Sequence, residues 1–206
     1  MNVINIKKES KQKYKNTISS YWGFDVDRTE LWAYWENAFS PDECKQIIEL
    51  GETKVLERGK AGGKIRDVRK SDIVFLYPDT STEWIFKRFT DLITNLNERF
   101  FRFDLAGLGE GLQFTKYSAP GECYGKHIDS GLDLPIRKLS VTLQLSEPDS
   151  YEGGDLCLYT GEEPTVISRK QGFFTVFPSY TLHEVKPVTK GVRYSLVAWA
   201  TGKPFV

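Results

Sequence analysis

The second half of the chain consists of short segments rich in β-forming residues, separated by turn residues such as glycine and proline. Helical periodicity is absent from residue 112 onwards. Eight predicted strands follow, at residues 112–117, 124–129, 138–145, 155–159, 165–167, 172–177, 183–185 and 193–200. Short strands at this spacing are typical of a sandwich or jelly roll.

Two helices are predicted ahead of these strands. Ser40 suits the N-cap of the first, Pro41 its first helical position, and Glu43 completes a capping box. The second predicted helix covers residues 82–100, follows a second capping-box pattern at 80–83, and has apolar side chains at helical spacing. Helices followed by strands predict an α+β fold, mainly β, with the helices bracing one sheet.

These signals predict a single domain over residues 21–206. Residues 40–100 would supply the helical support, with Gly51 ending the first helix, and residues 112–202 the jelly-roll core. The lysine-rich residues 1–20 are expected to form a flexible basic leader.

Composition limits the possible partners and the compartment. A formal net charge of zero and a pI near 6.8 do not favour a polyanionic partner such as nucleic acid. Three cysteines without paired spacing indicate free thiols in a reducing compartment. Neither a signal-peptide pattern nor a run long enough for a membrane span is present, so we predict a cytoplasmic protein without membrane contact.

Residues 54–70 carry seven basic side chains around three glycines. Glycines without periodicity predict a mobile loop. This loop is either a solvated surface segment or a lid that contacts substrate. Its charge also keeps a nucleic-acid substrate open as an alternative.

The chain contains only two histidines, His127 and His183, and both lie in predicted strands. His127 and Asp129 are two residues apart, so on an extended strand their side chains point to the same face. Two imidazoles and one carboxylate form the facial triad that holds Fe(II) with open coordination sites. The alternative is a polar pair on a strand edge together with an unrelated, half-buried histidine.

Arg193 precedes an apolar strand, where burial is expected, and a buried guanidinium needs a partner. Its planar fork suits bidentate binding of a carboxylate, as a dicarboxylic acid would offer. The alternative is an internal salt bridge. The glycine pair Gly153–Gly154 is explained by a hairpin turn.

Four elements occur in this order along the chain: an H-x-D pair (His127, Asp129), an E-G-G-D-L element (residues 152–156), a distal histidine (His183) and an R-x-S element (Arg193, Ser195). This pattern resembles the Fe(II)/2-oxoglutarate-dependent dioxygenases, and in particular their prolyl 4-hydroxylase-like branch. The resemblance covers roughly residues 31–202. It implies a double-stranded β-helix, which is a relative of the jelly roll.

The resemblance also implies an activity. Such an enzyme hydroxylates an unactivated C–H bond, here most readily that of a peptidyl proline, and releases succinate and CO₂. The implied cofactors are Fe(II), 2-oxoglutarate as cosubstrate and O₂, with ascorbate as a further candidate. The implied partner is a peptide, a protein or a small molecule.

Roles for individual residues follow from the same resemblance. The implied metal ligands are His127, Asp129 and His183. Together with Arg193 they are also the implied catalytic residues. Arg193 matches the residue that holds the far carboxylate of 2-oxoglutarate, with Ser195 as a helper. Tyr117 matches a tyrosine that hydrogen-bonds the cosubstrate, although a buried core tyrosine is the alternative. Gln144 occupies the position of a tyrosine that reaches the same carboxylate in some members.

Strand alternation leads us to expect an apolar shell around the metal from Leu143, Leu156, Phe174 and Val197. Trp199 is expected either to line the pocket floor or to fill the core.

Three alternatives to a peptidyl hydroxylase remain open. One is a hydroxylase of free amino acids or other small molecules from the same family. Another is a cupin-like metal-binding protein that does not use 2-oxoglutarate, for which loss of Arg193 would matter little. The third is a non-catalytic binding module, against which the intact ligand set argues.

Overall fold

The computed structural model describes residues 29–61, 64, 67–130 and 136–204. Within these residues the chain forms two α-helices, α1 (Pro41–Glu52) and α2 (Glu83–Leu96). One π-helical turn continues α2. The predicted leader at residues 1–20 lies outside the described residues.

Strands dominate the rest of the described chain. In chain order they are β1 (Ala33–Trp35), β2 (Glu57–Arg58), β3 (Arg69–Lys70), β4 (Asp72–Leu76), β5 (Leu105–Leu108), β6 (Leu112–Ser118), β7 (Cys123–His127), β8 (Arg137–Gln144), β9 (Tyr151–Gly153), β10 (Leu156–Leu158), β11 (Thr165–Val166), β12 (Phe174–Pro178), β13 (His183–Val185) and β14 (Val188–Gly202). The eight predicted strands are confirmed to within a few residues at each end. The remaining six include β9, which covers part of the predicted hairpin turn.

The strands form two sheets. The large sheet runs in the order β1-β12-β8-β14-β6-β4-β2, and β5 and β9 also pair with β14. The small sheet runs in the order β11-β10-β13-β7-β3. From β6 onwards the chain passes repeatedly between the two sheets: β6, β8, β12 and β14 lie in the large sheet, and β7, β10, β11 and β13 in the small one. This is the layout of a jelly roll, so the predicted fold class is confirmed.

Side-chain alternation divides the interior into two layers. One face of the large sheet packs on α1 and α2 through apolar side chains that include Val141, Leu143, Phe174 and Leu196. Its other face turns towards the small sheet, where a smaller apolar cluster forms around Phe177. The polar positions of β8 and β14 project into this second layer, next to the small sheet.

The first predicted capping box is confirmed. The Ser40 hydroxyl accepts from the backbone N–H of Glu43 at 3.2 Å, and the Glu43 carboxylate accepts from the Ser40 N–H at 2.8 Å. Gly51 does not end α1, which continues to Glu52. Its role is in packing, because a Cβ at Gly51 would lie 2.6 Å from the ring of Phe114.

The second predicted capping box is wrong. Thr82 is the N-cap of α2, but its side chain does not cap the helix. Its hydroxyl instead donates to the carbonyl oxygen of Tyr77 at 2.7 Å. The carboxylate of Asp79 accepts from the backbone N–H of Ser81 and of Thr82. The α-helix also ends at Leu96 rather than at residue 100, because the chain continues as a π-helical turn.

The basic segment 54–70 contains two short strands in its described parts. Its two ends form β2 and β3, which extend the large and the small sheet respectively. Arg58 is paired with Asp72 and Glu122. Among the described residues, the structure contains no helix long and apolar enough to cross a bilayer.

Candidate metal and cosubstrate site

Two neighbouring strands of the small sheet bring the histidines together. His127 ends β7, His183 begins β13, and the two residues are direct partners in the antiparallel register. Asp129 lies just beyond the end of β7, where its backbone N–H donates to the carbonyl oxygen of Ser179 at 2.9 Å. The strand pairing therefore places three side chains at one point, although 56 residues separate the histidines in sequence.

One potential ligand atom from each of His127, Asp129 and His183 lies within 4.8 Å of the other two. The Nε2 of His127 is 3.7 Å from Asp129 Oδ1, and the Nε2 of His183 is 3.5 Å from Asp129 Oδ2. Each imidazole Nδ1 is hydrogen-bonded to a backbone carbonyl oxygen, that of Gly125 at 2.8 Å and that of Thr181 at 2.9 Å. These bonds leave both Nε2 atoms free to bind a metal.

Burial sets the protonation of this cluster. Burial and the neighbouring His183 lower the pKa of His127 to about 4, so its imidazole is neutral at pH 7. Burial raises the pKa of Asp129, but the two imidazoles and the hydroxyl of Ser140 outweigh it and keep that pKa below its usual range. Neutral imidazole and ionised carboxylate are the states in which these groups bind metals.

The carboxylate of Asp129 is fixed by a polar network on the large sheet. Ser140 on β8 donates to Asp129 Oδ2 at 2.7 Å, and its hydroxyl is 3.1 Å from that of Ser179. Arg137 donates to the backbone carbonyl of Asp129 at 3.4 Å and is itself held by Glu110 through two bonds of 2.7 Å.

Aromatic rings surround the cluster. Tyr124 stacks on the imidazole of His127, with 3.5 Å between ring centroids, and Phe177 packs edge-on against His183 at 4.8 Å. The guanidinium of Arg137 lies 3.9 Å from the ring of Trp199. The indole N–H of Trp199 is buried and has no hydrogen-bond partner among the described residues.

The three side chains line a cavity of about 950 Å³ between the two sheets. Arg193 and Ser195 on β14 line the same cavity. The guanidinium of Arg193 is 3% exposed and donates to the Ser195 hydroxyl at 3.4 Å. No carboxylate of the described residues pairs with it, so the internal salt bridge considered above is not formed there.

Tyr117 and Gln144 lie on different sides of Arg193. Tyr117 is the register partner of Arg193, is buried in the cavity wall, and has a pKa raised by that burial. Gln144 lines a separate, much smaller cavity, and its side-chain amide donates to the hydroxyl of Tyr151 at 3.0 Å. The role predicted for Gln144 therefore remains a prediction, and Tyr151 is its main partner.

The predicted apolar shell is half wrong. Leu156 and Val197 line the cavity, but Leu143 and Phe174 face the helices on the opposite side of the large sheet. These two residues are direct partners across β8 and β12, and the alternation of both strands turns them outwards. Trp199 is buried and lines the cavity, which agrees with the first of the two alternatives for it, and it belongs to neither apolar cluster.

Sequence reasoning missed several polar residues of the site. Ser140, Arg137 and Glu110 act on Asp129 directly or through one another, and Arg69 is buried in the cavity wall at 8% exposure. Polar and apolar residues alternate along β8, and this alternation is a sequence signal for Ser140. The others depend on contacts between distant segments.

The donor set fits a first-row divalent metal. Two imidazole nitrogens and one carboxylate on a single face, each oriented by a further hydrogen bond, match the facial triad that leaves coordination sites open. The buried guanidinium of Arg193, for which no ion pair with a described carboxylate is found, lines the adjoining cavity, where an anionic ligand would satisfy it.

A jelly roll that brings two histidines and one carboxylate together in an interior cavity has the ligand arrangement of the non-haem Fe(II) oxygenases. Residues 112–201 match the family model described as the 2OG-Fe(II) oxygenase superfamily. The resemblance found in the sequence is confirmed, as are Fe(II), 2-oxoglutarate and O₂ as the cofactors of the family. Ascorbate remains a prediction.

Curated relatives carry related names. The chain is 43% identical over 90 residues to a PKHD-type hydroxylase from Prochlorococcus marinus, covering 43% of this chain and 40% of that protein. It is 34% identical over 121 residues to a PKHD-type hydroxylase from a Synechococcus species, covering 55% and 54% of the two chains. The chain thus matches only about half the length of these relatives.

Solved structures share the fold. A prolyl hydroxylase from Trichoplax adhaerens, in complex with a peptide fragment of the hypoxia inducible factor oxygen degradation domain, superposes with a TM-score of 0.71 at 21% identity and 84% coverage of both chains. A prolyl-4-hydroxylase from Pseudomonas putida superposes with a TM-score of 0.68 at 20% identity, covering 85% of this chain and 95% of that one. This similarity confirms the double-stranded β-helix.

Proposed function

We propose that this protein is an Fe(II)- and 2-oxoglutarate-dependent dioxygenase that hydroxylates an unactivated C–H bond, with a peptidyl proline as the preferred substrate. The observation that carries the proposal is that His127, Asp129 and His183 converge in one cavity with the unpaired guanidinium of Arg193. The expected reaction consumes one O₂, places one oxygen atom in the hydroxylated product and the other in succinate, and releases CO₂.

Three side chains would hold the metal. His127 and His183 would bind through Nε2, because the Nδ1 of each is occupied by a backbone carbonyl. Asp129 would bind through its carboxylate, which Ser140 orients. When bound, Fe(II) supplies the open coordination sites and the redox chemistry needed to activate O₂ with a 2-oxo acid.

Arg193 would hold the far carboxylate of 2-oxoglutarate. The guanidinium is buried, already bonded to Ser195, and adjacent to the hydroxyl-bearing ring of Tyr117, with 5.6 Å from the Arg193 Cζ to the ring centroid. A buried cation without an internal counter-charge favours an anionic ligand, and a planar fork favours a carboxylate.

The remaining cavity wall would hold the primary substrate and exclude water. Tyr124, Leu156, Val197 and Trp199 present apolar surface next to the metal ligands. Three exposed apolar residues stand beside the ligands themselves, namely Ile128, Tyr180 and Leu182. Such a surface suits a polypeptide, and the peptide bound by the Trichoplax prolyl hydroxylase supports this choice.

The direct test is succinate release from 2-oxoglutarate by the purified protein with Fe(II) and O₂, screened against proline-containing peptides and free amino acids. We expect succinate to form in step with a substrate mass increase of one oxygen atom. If only free amino acids are hydroxylated, the proposed activity stands but its substrate is a small molecule rather than a peptide. Metal binding without any succinate would instead support the cupin-like alternative.

A further inference from the structure

A second arginine lies in the cavity wall without a carboxylate partner among the described residues. Arg69 on β3 is 8% exposed and is the register partner of Tyr124 on β7. Its Nε donates to the hydroxyl of Ser71 at 3.2 Å and its Nη1 to the carbonyl oxygen of Lys60 at 2.9 Å. Both acceptors are neutral, so the charge of this guanidinium is not balanced by them.

The local structure holds the Arg69 guanidinium in one orientation. A Cβ at Gly59 would lie 2.6 Å from Arg69 Nε and 3.2 Å from its Cζ, so the glycine makes room for the side chain. On the other side the guanidinium lies over the ring of Tyr124, 4.6 Å from its centroid. Tyr124 in turn stacks on His127. One aromatic ring thus separates this cation from a candidate metal ligand.

The cations that line the cavity differ in whether they are already neutralised. Arg58 is paired with Asp72 and Glu122, and Arg137 is paired with Glu110. Arg69 and Arg193 are the buried arginines of the described cavity wall for which no ion pair with a described carboxylate is found. Burying an unpaired charge is unfavourable, so both guanidiniums are expected to meet an anion from the ligand side.

The two guanidiniums reach the cavity from different sheets. Arg193 extends from β14 of the large sheet and lies near Tyr117, whereas Arg69 extends from β3 of the small sheet and lies on Tyr124. The proposed function assigns one diacid to Arg193, which leaves Arg69 without an anion. Its Nη2, which has no hydrogen bond to any described residue, is available for charge-assisted binding.

We propose that Arg69 binds a carboxylate of the primary substrate and so selects substrates that carry an acidic group near the hydroxylated carbon. This inference rests on the proposed function, whose cosubstrate it assigns to Arg193. The carboxylate has two sources, an acidic residue of a peptide next to the hydroxylated one or the α-carboxylate of a free amino acid. Both present the same chemistry to the guanidinium.

The test compares each acid with its neutral amide. Protein loaded with Mn(II) and 2-oxoglutarate, without oxygen, is titrated with proline peptides that carry Glu or Gln beside the proline, and with free proline or prolinamide. We expect roughly 10- to 100-fold tighter binding of the acid in one pair, as for a hydrogen bond to a charged group. The pair that shows the preference identifies the source of the carboxylate.

Variants assign the preference to Arg69. Arg69→Met should abolish the preference while leaving the affinity for 2-oxoglutarate unchanged. Lys60→Gln removes one positive charge from an exposed position in the same cavity wall, and should keep the preference. If thermal unfolding shows that Arg69→Met is not folded, Arg69→Gln and Arg69→Lys take its place. We expect the preference to be lost in Arg69→Gln and partly kept in Arg69→Lys.

Several results would overturn the inference. They are equal binding of acid and amide in both pairs by the wild type, a preference that survives in Arg69→Met, or loss of 2-oxoglutarate binding in that variant. Failure of the wild type to bind Mn(II) or 2-oxoglutarate would instead contradict the proposed function. The same acid and amide pairs would then be titrated against metal-free Arg193→Met protein. A preference for the acid that is lost when Arg69→Met is added would support the Arg69 subsite. No preference for the acid would contradict it.

Discussion

His127 and His183 face each other as register partners on β7 and β13, with 4.1 Å between the centroids of their imidazole rings. Burial and the neighbouring His183 lower the pKa of His127 to about 4, so its imidazole is a neutral nitrogen donor at pH 7. It stands beside the carboxylate of Asp129, whose pKa is kept below its usual range. A hydrogen-bonded strand pair creates this arrangement, so the site is part of the fold rather than of a loop.

Replacement of His183 with alanine should abolish metal binding without unfolding the protein. The substitution removes one of the three proposed ligands, and we expect the affinity for Mn(II) to fall by at least about 100-fold, beyond the roughly 10- to 100-fold typical of losing a supporting residue. Thermal unfolding with and without metal checks this. Metal at about 100 times its Kd should stabilise the wild type by roughly 2.7 kcal/mol and leave the variant unchanged. An equal shift in both proteins would show that the metal binds elsewhere.

Ser140→Ala should weaken metal binding while all three ligands remain. The variant loses the hydrogen bond to Asp129 Oδ2, and supporting bonds of this kind are worth about 10- to 100-fold in metal affinity. Ser179→Ala is the matched control, because Ser179 contacts the Ser140 hydroxyl rather than the carboxylate. Calorimetric titration of Mn(II) should rank the wild type above the Ser179 variant and both above the Ser140 variant; the reverse order of the two variants would argue against this role.

Much of this arrangement can be inferred from residue patterns, and the rest depends on contacts between distant segments. Alternation on β8 and β14 gives the strands, and the spacing of His127, Asp129 and His183 gives the candidate ligand set. Alternation on β8 also places Leu143 on the face opposite Ser140 and Gln144, but both faces of this strand are buried, so alternation alone does not say which face holds the site. The hydrogen bond of Gln144 to Tyr151 depends on β9 folding back onto β14, which the local sequence does not specify.

The ion pair between Glu43 and Arg88 joins the two helices and should make stability depend on pH. Burial raises the pKa of Glu43, but the Ser40 N–H and the Arg88 guanidinium more than offset this, so the pKa lies below its usual 4.5. The stabilisation is therefore complete above pH 4.5 and is lost as the pH falls through the lowered pKa.

Arg88→Met tests this ion pair. We expect a loss of a few tenths to about 1 kcal/mol at pH 7, as for partly exposed pairs, that disappears at low pH. Lys87→Met, on an exposed position of the same helix, should have no such pH-dependent effect. Chemical denaturation at pH 7 and pH 3 measures both, and an Arg88 effect that is the same at the two pH values would contradict the assignment.

Gly51→Ala should destabilise the protein, although alanine favours helices more than glycine does. The new Cβ would lie 2.6 Å from the Phe114 ring, and overpacking of this kind costs about 1 to 3 kcal/mol. Chemical denaturation measures the change. An increase in stability, as helix propensity alone predicts, would show that the contact between α1 and β6 relaxes readily.

The most direct test of the central claim is the affinity for 2-oxoglutarate, measured by calorimetry without oxygen in the presence and absence of Mn(II). The triad and Arg193 are proposed to bind the two ends of one diacid. The wild type should therefore bind 2-oxoglutarate tightly only with metal, and His183→Ala and Arg193→Met should each lose this metal-dependent binding. An affinity that is the same with and without Mn(II), or that survives in Arg193→Met, would contradict the account.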